Sequence, residues 1–136
     1  MAVEHRPAVL IIDDEPSIRE AVRDCLEDEH YLVYEAADGR PALNLMRGSA
    51  DPLVILLDWR MPEMDGLAVL QALVAEGPSA WRHAYILFSA GPIPKEVSTL
   101  NLPSDIFLEA LSKPFELDDL LDLVARACVY LEEQTR

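Results

Sequence analysis

Three apolar runs and one brief strand candidate in this chain each give way to a residue able to do polar chemistry. Asp13 and Asp14 follow residues 8–12 (AVLII), and Asp58 follows residues 53–57 (LVILL). Ser89 follows residues 85–88 (YILF), and Lys113, with Pro114 behind it, follows a brief stretch at 110–112. Three carboxylates crowded together repel one another and resist full ionisation unless a cation joins them. An oxygen-only donor set that retains waters suits Mg²⁺. Such a metal can neutralise charge on a phosphoryl group in transfer, while an ammonium and a hydroxyl contact the remaining oxygens. One carboxylate can then act as nucleophile and carry the group as an aspartyl phosphate. The chain has no P-loop and no dinucleotide fingerprint, so phosphate chemistry would fall to these side chains.

That chemistry requires the four strand ends to meet. Between the apolar runs lie amphipathic stretches. Pro16 fits a first helical turn, and Ile18, Ala21, Val22, Cys25 and Leu26 keep helical spacing to about Glu29. Residues 31–35 read as a strand, and Asp38-Gly39 punctuates the chain before a helix at 41–47 closed by Gly48. A Pro-Gly loop at 59–66 leads to a helix at 67–76, ended by Gly77-Pro78. Three prolines interrupt residues 92–112, where we expect a short helix near 95–100 and a brief strand at 110–112. Leu117, Leu120, Leu121, Val124, Cys128 and Leu131 mark a last amphipathic helix. Strand–helix alternation of this kind predicts βαβ units around a parallel sheet, with ligands beyond the carboxyl ends of the strands.

Composition excludes other classes. Of 136 residues, 25 are acidic and 11 basic, giving a net charge of −14, and the pI is near 4.4. Phosphate backbones and anionic membranes repel such a surface, so direct nucleic-acid or membrane binding is not expected. The 51% hydrophobic content supplies a core and argues against disorder. No apolar run approaches a membrane span, no signal peptide is legible at the N-terminus, and two cysteines do not make a disulfide scaffold. We expect one domain over residues 1–136, cytoplasmic, with no DNA-binding output domain.

The motifs LIIDDEPSIREAV at 10–22, ILLDWRMPEMDG at 55–66, FSA at 88–90 and LSKPF at 111–115 resemble those of the receiver domains of two-component response regulators. The intervals fit as well: 44 positions from Asp14 to Asp58, 31 on to Ser89 and 24 on to Lys113. The resemblance implies a flavodoxin-like, doubly wound, five-stranded parallel sheet with helices on both faces. It implies a phosphoacceptor at Asp58, taking its phosphoryl group from the phosphohistidine of a sensor histidine kinase or phosphotransfer protein. Asp13, Asp14, Asp58 and the backbone carbonyl of Arg60 would hold Mg²⁺, Ser89 would be the switch hydroxyl, and Lys113 would bind a phosphoryl oxygen. Pro114 matches the position where such domains place a cis bond. The implied protein is a signalling switch rather than a metabolic enzyme, a monomer or weak dimer acting on an output protein.

The chain also departs from the family pattern. Position 110 usually carries an aromatic that turns inward on activation, and here it is Ala110. Residues 105–109 replace the usual Gly-Ala stretch, and the fourth helix is short. A receiver-like interaction module with impaired switching is therefore an alternative, as is a haloacid-dehalogenase-like aspartyl phosphatase. The phosphatase would want an acid where this chain has Arg60. Taken singly, Asp13-Asp14 could be a helix cap, Ser89 a loop hydroxyl and Lys113 a solvated lysine. Cys25 and Cys128 read as small buried hydrophobes on the first and last helices. His5, His30 and His83 lack metal-ligand spacing, and Trp59 and Trp81 read as packing or rim residues.

Overall fold

The computed structural model describes residues 6–134. Five strands alternate with helices: β1 (Val9–Ile12), α1 (Pro16–Asp28), β2 (Val33–Ala36), α2 (Gly39–Gly48), β3 (Val54–Asp58), α3 (Gly66–Glu76), β4 (Ala84–Ser89), β5 (Leu108–Ser112) and α4 (Leu117–Gln134). All pairings are parallel, in the order β2-β1-β3-β4-β5. The parallel sheet expected from the alternation is observed, in the doubly wound form that the family resemblance implies.

The apolar runs are continuous because both faces of the central strands are covered. Successive side chains point to opposite faces, so Val9, Ile11, Val54, Leu56, Ile86 and Phe88 pack with Val22 and Leu26 of α1 and Leu120, Val124 and Cys128 of α4. Leu10, Ile12, Ile55, Leu57, Tyr85 and Leu87 pack with Leu43 and Met46 of α2 and Val69, Leu70 and Leu73 of α3. The order also fixes where a site can form. The chain leaves β1 toward β2, then returns to β3 on the other side, so the carboxyl ends of β1 and β3 flank the topological switch point.

Local chemistry explains where element boundaries differ from the sequence reading. α2 begins at Gly39, before the expected start, because the Asp38 side chain accepts a hydrogen bond from the Gly39 N–H at 2.6 Å. Any side chain at Gly39 would meet Val69 Cγ2 at 2.7 Å. α1 stops without a glycine: His30 takes a left-handed conformation, φ 68°, and the His30 and Tyr31 N–H groups cap the carbonyls of Glu27 and Leu26. Past Gly77 the chain forms a 3-10 turn, Pro78–Arg82, not foreseen from sequence. Its Arg82 guanidinium donates to the carbonyls of Met46 and Ser49 at the end of α2. The expected short helix is a 3-10 turn, Lys95–Thr99. β5 starts at Leu108, two residues early, because Leu108 and Glu109 pair with Tyr85 and Ile86. Cys128 is buried as expected, whereas Cys25 is only half-buried; both are free thiols. His5 lies outside the described residues.

His83 is a core residue. It is 2% exposed, and its Nδ1 accepts the Leu53 N–H at 2.9 Å, which requires the neutral ring. Burial, with Arg82 adding repulsion, lowers its pKa to about 4 from 6.5. Below pH 6.5 the unfolded chain binds a proton that the folded chain resists, so this stability is complete above 6.5 and is lost as pH falls through about 4. The loss amounts to about 3 kcal/mol at most. Denaturant titrations should show a shallower acid loss for His83→Asn, which keeps an acceptor but does not titrate; equal slopes would show that His83 is not responsible.

Candidate functional site

Each chemical residue is aimed by a backbone ladder that runs past its strand. The Asp13 N–H donates to Ala36 O at 3.1 Å, Trp59 N–H to Phe88 O at 2.9 Å, and Lys113 N–H to Ser89 O at 2.8 Å. Asp13 is further held at its own turn. Its Oδ1 accepts the Glu15 N–H at 2.9 Å, and its carbonyl accepts Arg19 Nη1 at 2.8 Å. Asp58 is followed by a loop that folds back, with the Gly66 N–H on Trp59 O at 3.0 Å. A side chain at Gly66 would meet Trp59 Cε3 at 2.7 Å and Asp58 O at 3.1 Å, so only glycine allows this close return. The Asp65 carboxylate caps α3 by accepting the Ala68 N–H at 2.9 Å. The Lys113–Pro114 peptide is cis, and Phe115 behind it packs on Phe88 with ring centroids 4.9 Å apart.

These ladders bring Asp13, Asp14 and Asp58 together, with one carboxylate oxygen from each lying within 4.8 Å of the others. Asp13 is fully buried and Asp58 is 5% exposed, while Asp14 is the most open of the three. Lys113 Nζ lies 3.3 Å from Asp13 Oδ2 and 3.3 Å from Asp58 Oδ1, with Glu15 Oε1 at 3.8 Å. Glu15 and Arg19, neither singled out from the sequence, thus belong to the surroundings of the site; a family motif signals their position but not their contacts. A cavity of about 360 Å³ is lined by Asp14, Glu15, Asp58, Arg60, Ser89 and Lys113, among others. Of the expected site residues, Ser89 reaches the cavity wall, but its hydroxyl donates elsewhere, to Gly91 O at 2.7 Å. The Arg60 N–H donates to Asp58 Oδ1 at 3.3 Å. Ala110 sits in β5 beside Leu87.

Electrostatics leave the cluster short of positive charge. Burial and the Asp13 carboxylate push the Asp58 carboxyl up to about 6, against the opposing pull of Lys113. Burial alone would lower the Lys113 ammonium, but the attraction of Asp13 and Asp58 outweighs it and leaves its pKa above the ordinary value. One ammonium therefore does not offset three clustered acids. Hard oxygens, close approach and uncompensated negative charge together fit a divalent cation of the Mg²⁺ type.

Residues 9–125 match the family model described as the response regulator receiver domain. The chain belongs to this family. The receiver is 34% identical over 113 residues to the response regulator MprA of Mycolicibacterium vanbaalenii, covering 83% of this chain and 46% of that protein. It is 36% identical over 115 residues to the sensor histidine kinase TmoS of Ectopseudomonas mendocina, covering 85% of this chain and 11% of that one. It thus spans slightly under half of the matched regulator and a small part of the kinase. Among solved structures, chemotaxis protein CheY4 of Vibrio cholerae aligns with TM-score 0.73 and 29% identity, over 90% of this chain and 98% of that one. Receiver domains are signalling domains of two-component systems that bind Mg²⁺ at an acidic Asp cluster, and this receiver has such a cluster. No helix among the described residues is long and apolar enough to cross a membrane.

The raised Asp58 pKa carries a stability cost in the metal-free receiver. Its contribution is fully present below pH 3.8 and is lost as pH rises through about 6. In chelator at pH 7, Asp58→Asn should therefore be more stable than wild type, by about 3 kcal/mol at most. Urea unfolding at pH 4 and pH 7 tests this; a variant no more stable at pH 7 than wild type would contradict the charge crowding.

Proposed function

We propose that the receiver accepts a phosphoryl group on Asp58 from the phosphohistidine of a sensor histidine kinase or phosphotransfer protein. The observation that supports this reading best is Lys113 Nζ lying 3.3 Å from both Asp13 and Asp58 at the switch point of the sheet. An Asp58 carboxylate oxygen attacks phosphorus, a new P–O bond forms, and the P–N bond to the donor imidazole breaks with its electron pair returning to nitrogen. Lys113 moves from carboxylate toward a phosphoryl oxygen as charge develops there. Mg²⁺, held by Asp13, Asp14, Asp58 and the Arg60 carbonyl, would supply charge neutralisation and alignment of the phosphoryl oxygens. Later attack by water on the acyl phosphate resets the switch. A phosphatase of the haloacid-dehalogenase type would need an acid two positions after Asp58, where Arg60 stands.

Donor docking has a surface adjoining the site. A groove of about 440 Å³ is lined by Ile18, Ala21 and Val22 of α1 and by Pro114, Phe115 and Leu117, with Lys113 at its border with the acids. We assign it to the apolar face of the donor helix that presents the phosphohistidine. The acidic surface opposes nucleic acid, so output from this domain passes through protein contacts in the cytoplasm.

Ala110 favours a restricted switch. It stands beside Leu87 on β5, and a methyl group cannot fill the space left when the loop after β4 moves toward a phosphoryl group. The conformational change should stay near residues 89–94, and phosphorylation should drive little dimerisation.

Acetyl phosphate with Mg²⁺ should add one phosphoryl mass to wild type and none to Asp58→Asn; an acid-stable gain on the variant would refute the assignment. Sedimentation with beryllofluoride should show a monomer or weak dimer. Strong dimerisation through β5 and α4 would overturn the restricted switch.

A further inference from the structure

Ser89 and Ser112 are paired neighbours on β4 and β5, and their hydroxyls converge on one acceptor. Ser89 Oγ donates to Gly91 O at 2.7 Å, with Pro92 O at 3.4 Å, and Ser112 Oγ donates to the same Gly91 O at 3.1 Å. Ser89 is 8% exposed, whereas Ser112 is exposed and Gly91 half-buried. The loop after β4 is thus tied twice through a single carbonyl.

A hydroxyl has one proton to donate, so Ser89 must release Gly91 O before it can donate to a phosphoryl oxygen. A carbonyl that loses its partner in a partly buried place resists that release. With Ser112 already on Gly91 O, the carbonyl stays paired when Ser89 turns away. We propose that Ser112 is a positioning residue for the switch, a relief donor that keeps Gly91 satisfied and so lowers the cost of reorienting Ser89. This rests on the reading of Ser89 as the hydroxyl that meets the phosphoryl group. Ser112 touches none of the acids and acts only through the loop. Lys113, the next residue, is held in place independently by its own N–H on Ser89 O at 2.8 Å.

The test is beryllofluoride binding in saturating Mg²⁺, followed by Trp59 fluorescence or amide shifts, for wild type, Ser112→Ala, Ser112→Thr, Ser89→Ala and the double variant Ser89→Ala/Ser112→Ala. Ser112→Ala should weaken the mimic about 3- to 10-fold, corresponding to one partly solvated hydrogen bond, and Ser112→Thr should restore it. The effect should vanish in the Ser89→Ala background, because no hydroxyl then needs releasing. Mg²⁺ affinity without the mimic should be the same for Ser112→Ala and wild type. Undiminished mimic binding by Ser112→Ala, or an equal loss with and without Ser89, would overturn the proposal. If Ser89→Ala itself binds the mimic as wild type does, the reading of Ser89 fails, and that outcome is distinct from a failure confined to Ser112.

Discussion

Asp13 and Asp58 are buried acids whose charges oppose each other, and Lys113 lies 3.3 Å from both. Burial strengthens the repulsion between the acids and the attraction to the ammonium alike. An arrangement of this kind persists only where the surrounding structure leaves the side chains no alternative. The parallel sheet supplies that restraint. Three ladder bonds past the ends of β1, β3 and β5 fix the backbones from which the charged groups project. The packing of both sheet faces fixes the strands in turn. The site is consequently crowded in charge and fixed in backbone geometry, a combination suited to binding a cation.

The loops at this end of the sheet are held to different degrees. Residues 59–66 are folded tightly, with Gly66 against Trp59 and Asp65 capping α3. The β4 loop is tied mainly by two serine hydroxyls on one carbonyl. A hydroxyl bond to a carbonyl is exchangeable, so the Ser89 tie is the one that an added phosphoryl oxygen would compete for in the proposed switch. Its continuation is a 3-10 turn rather than a full helix. In the switch proposed above, this turn and Ala110 would together confine a local rearrangement. A packed core transmits a shift only where a side chain is large enough to occupy one of two places.

Much of this was legible in the sequence. The order of strand ends carrying Asp13, Asp14, Asp58, Ser89 and Lys113 was legible, because strands buried on both faces read as continuous apolar runs and the first polar residue marks where each run stops. The alternation of elements pointed to a parallel sheet, because parallel strands need a crossover between them; its doubly wound form was implied by the family resemblance. Boundaries were less legible. The early start of α2 depends on the Asp38 cap, and the end of α1 on a histidine in a conformation usually left to glycine. The extra length of β5 depends on pairing of Leu108 and Glu109 with Tyr85 and Ile86 of β4, a non-local contact.

Tertiary structure alone decided the rest. Lys113 and Asp13 are 100 positions apart, and residue types do not state the distance between their side chains or which acid is buried. The elevation of the Asp58 pKa, the neutrality of His83 and the half-exposure of Cys25 arise from surroundings contributed by several elements at once. The convergence of Ser89 and Ser112 on Gly91 follows from strand register, which a single sequence leaves open. Sequence determines which groups can react; burial and register, being non-local, determine which of them face one another and in what charge state.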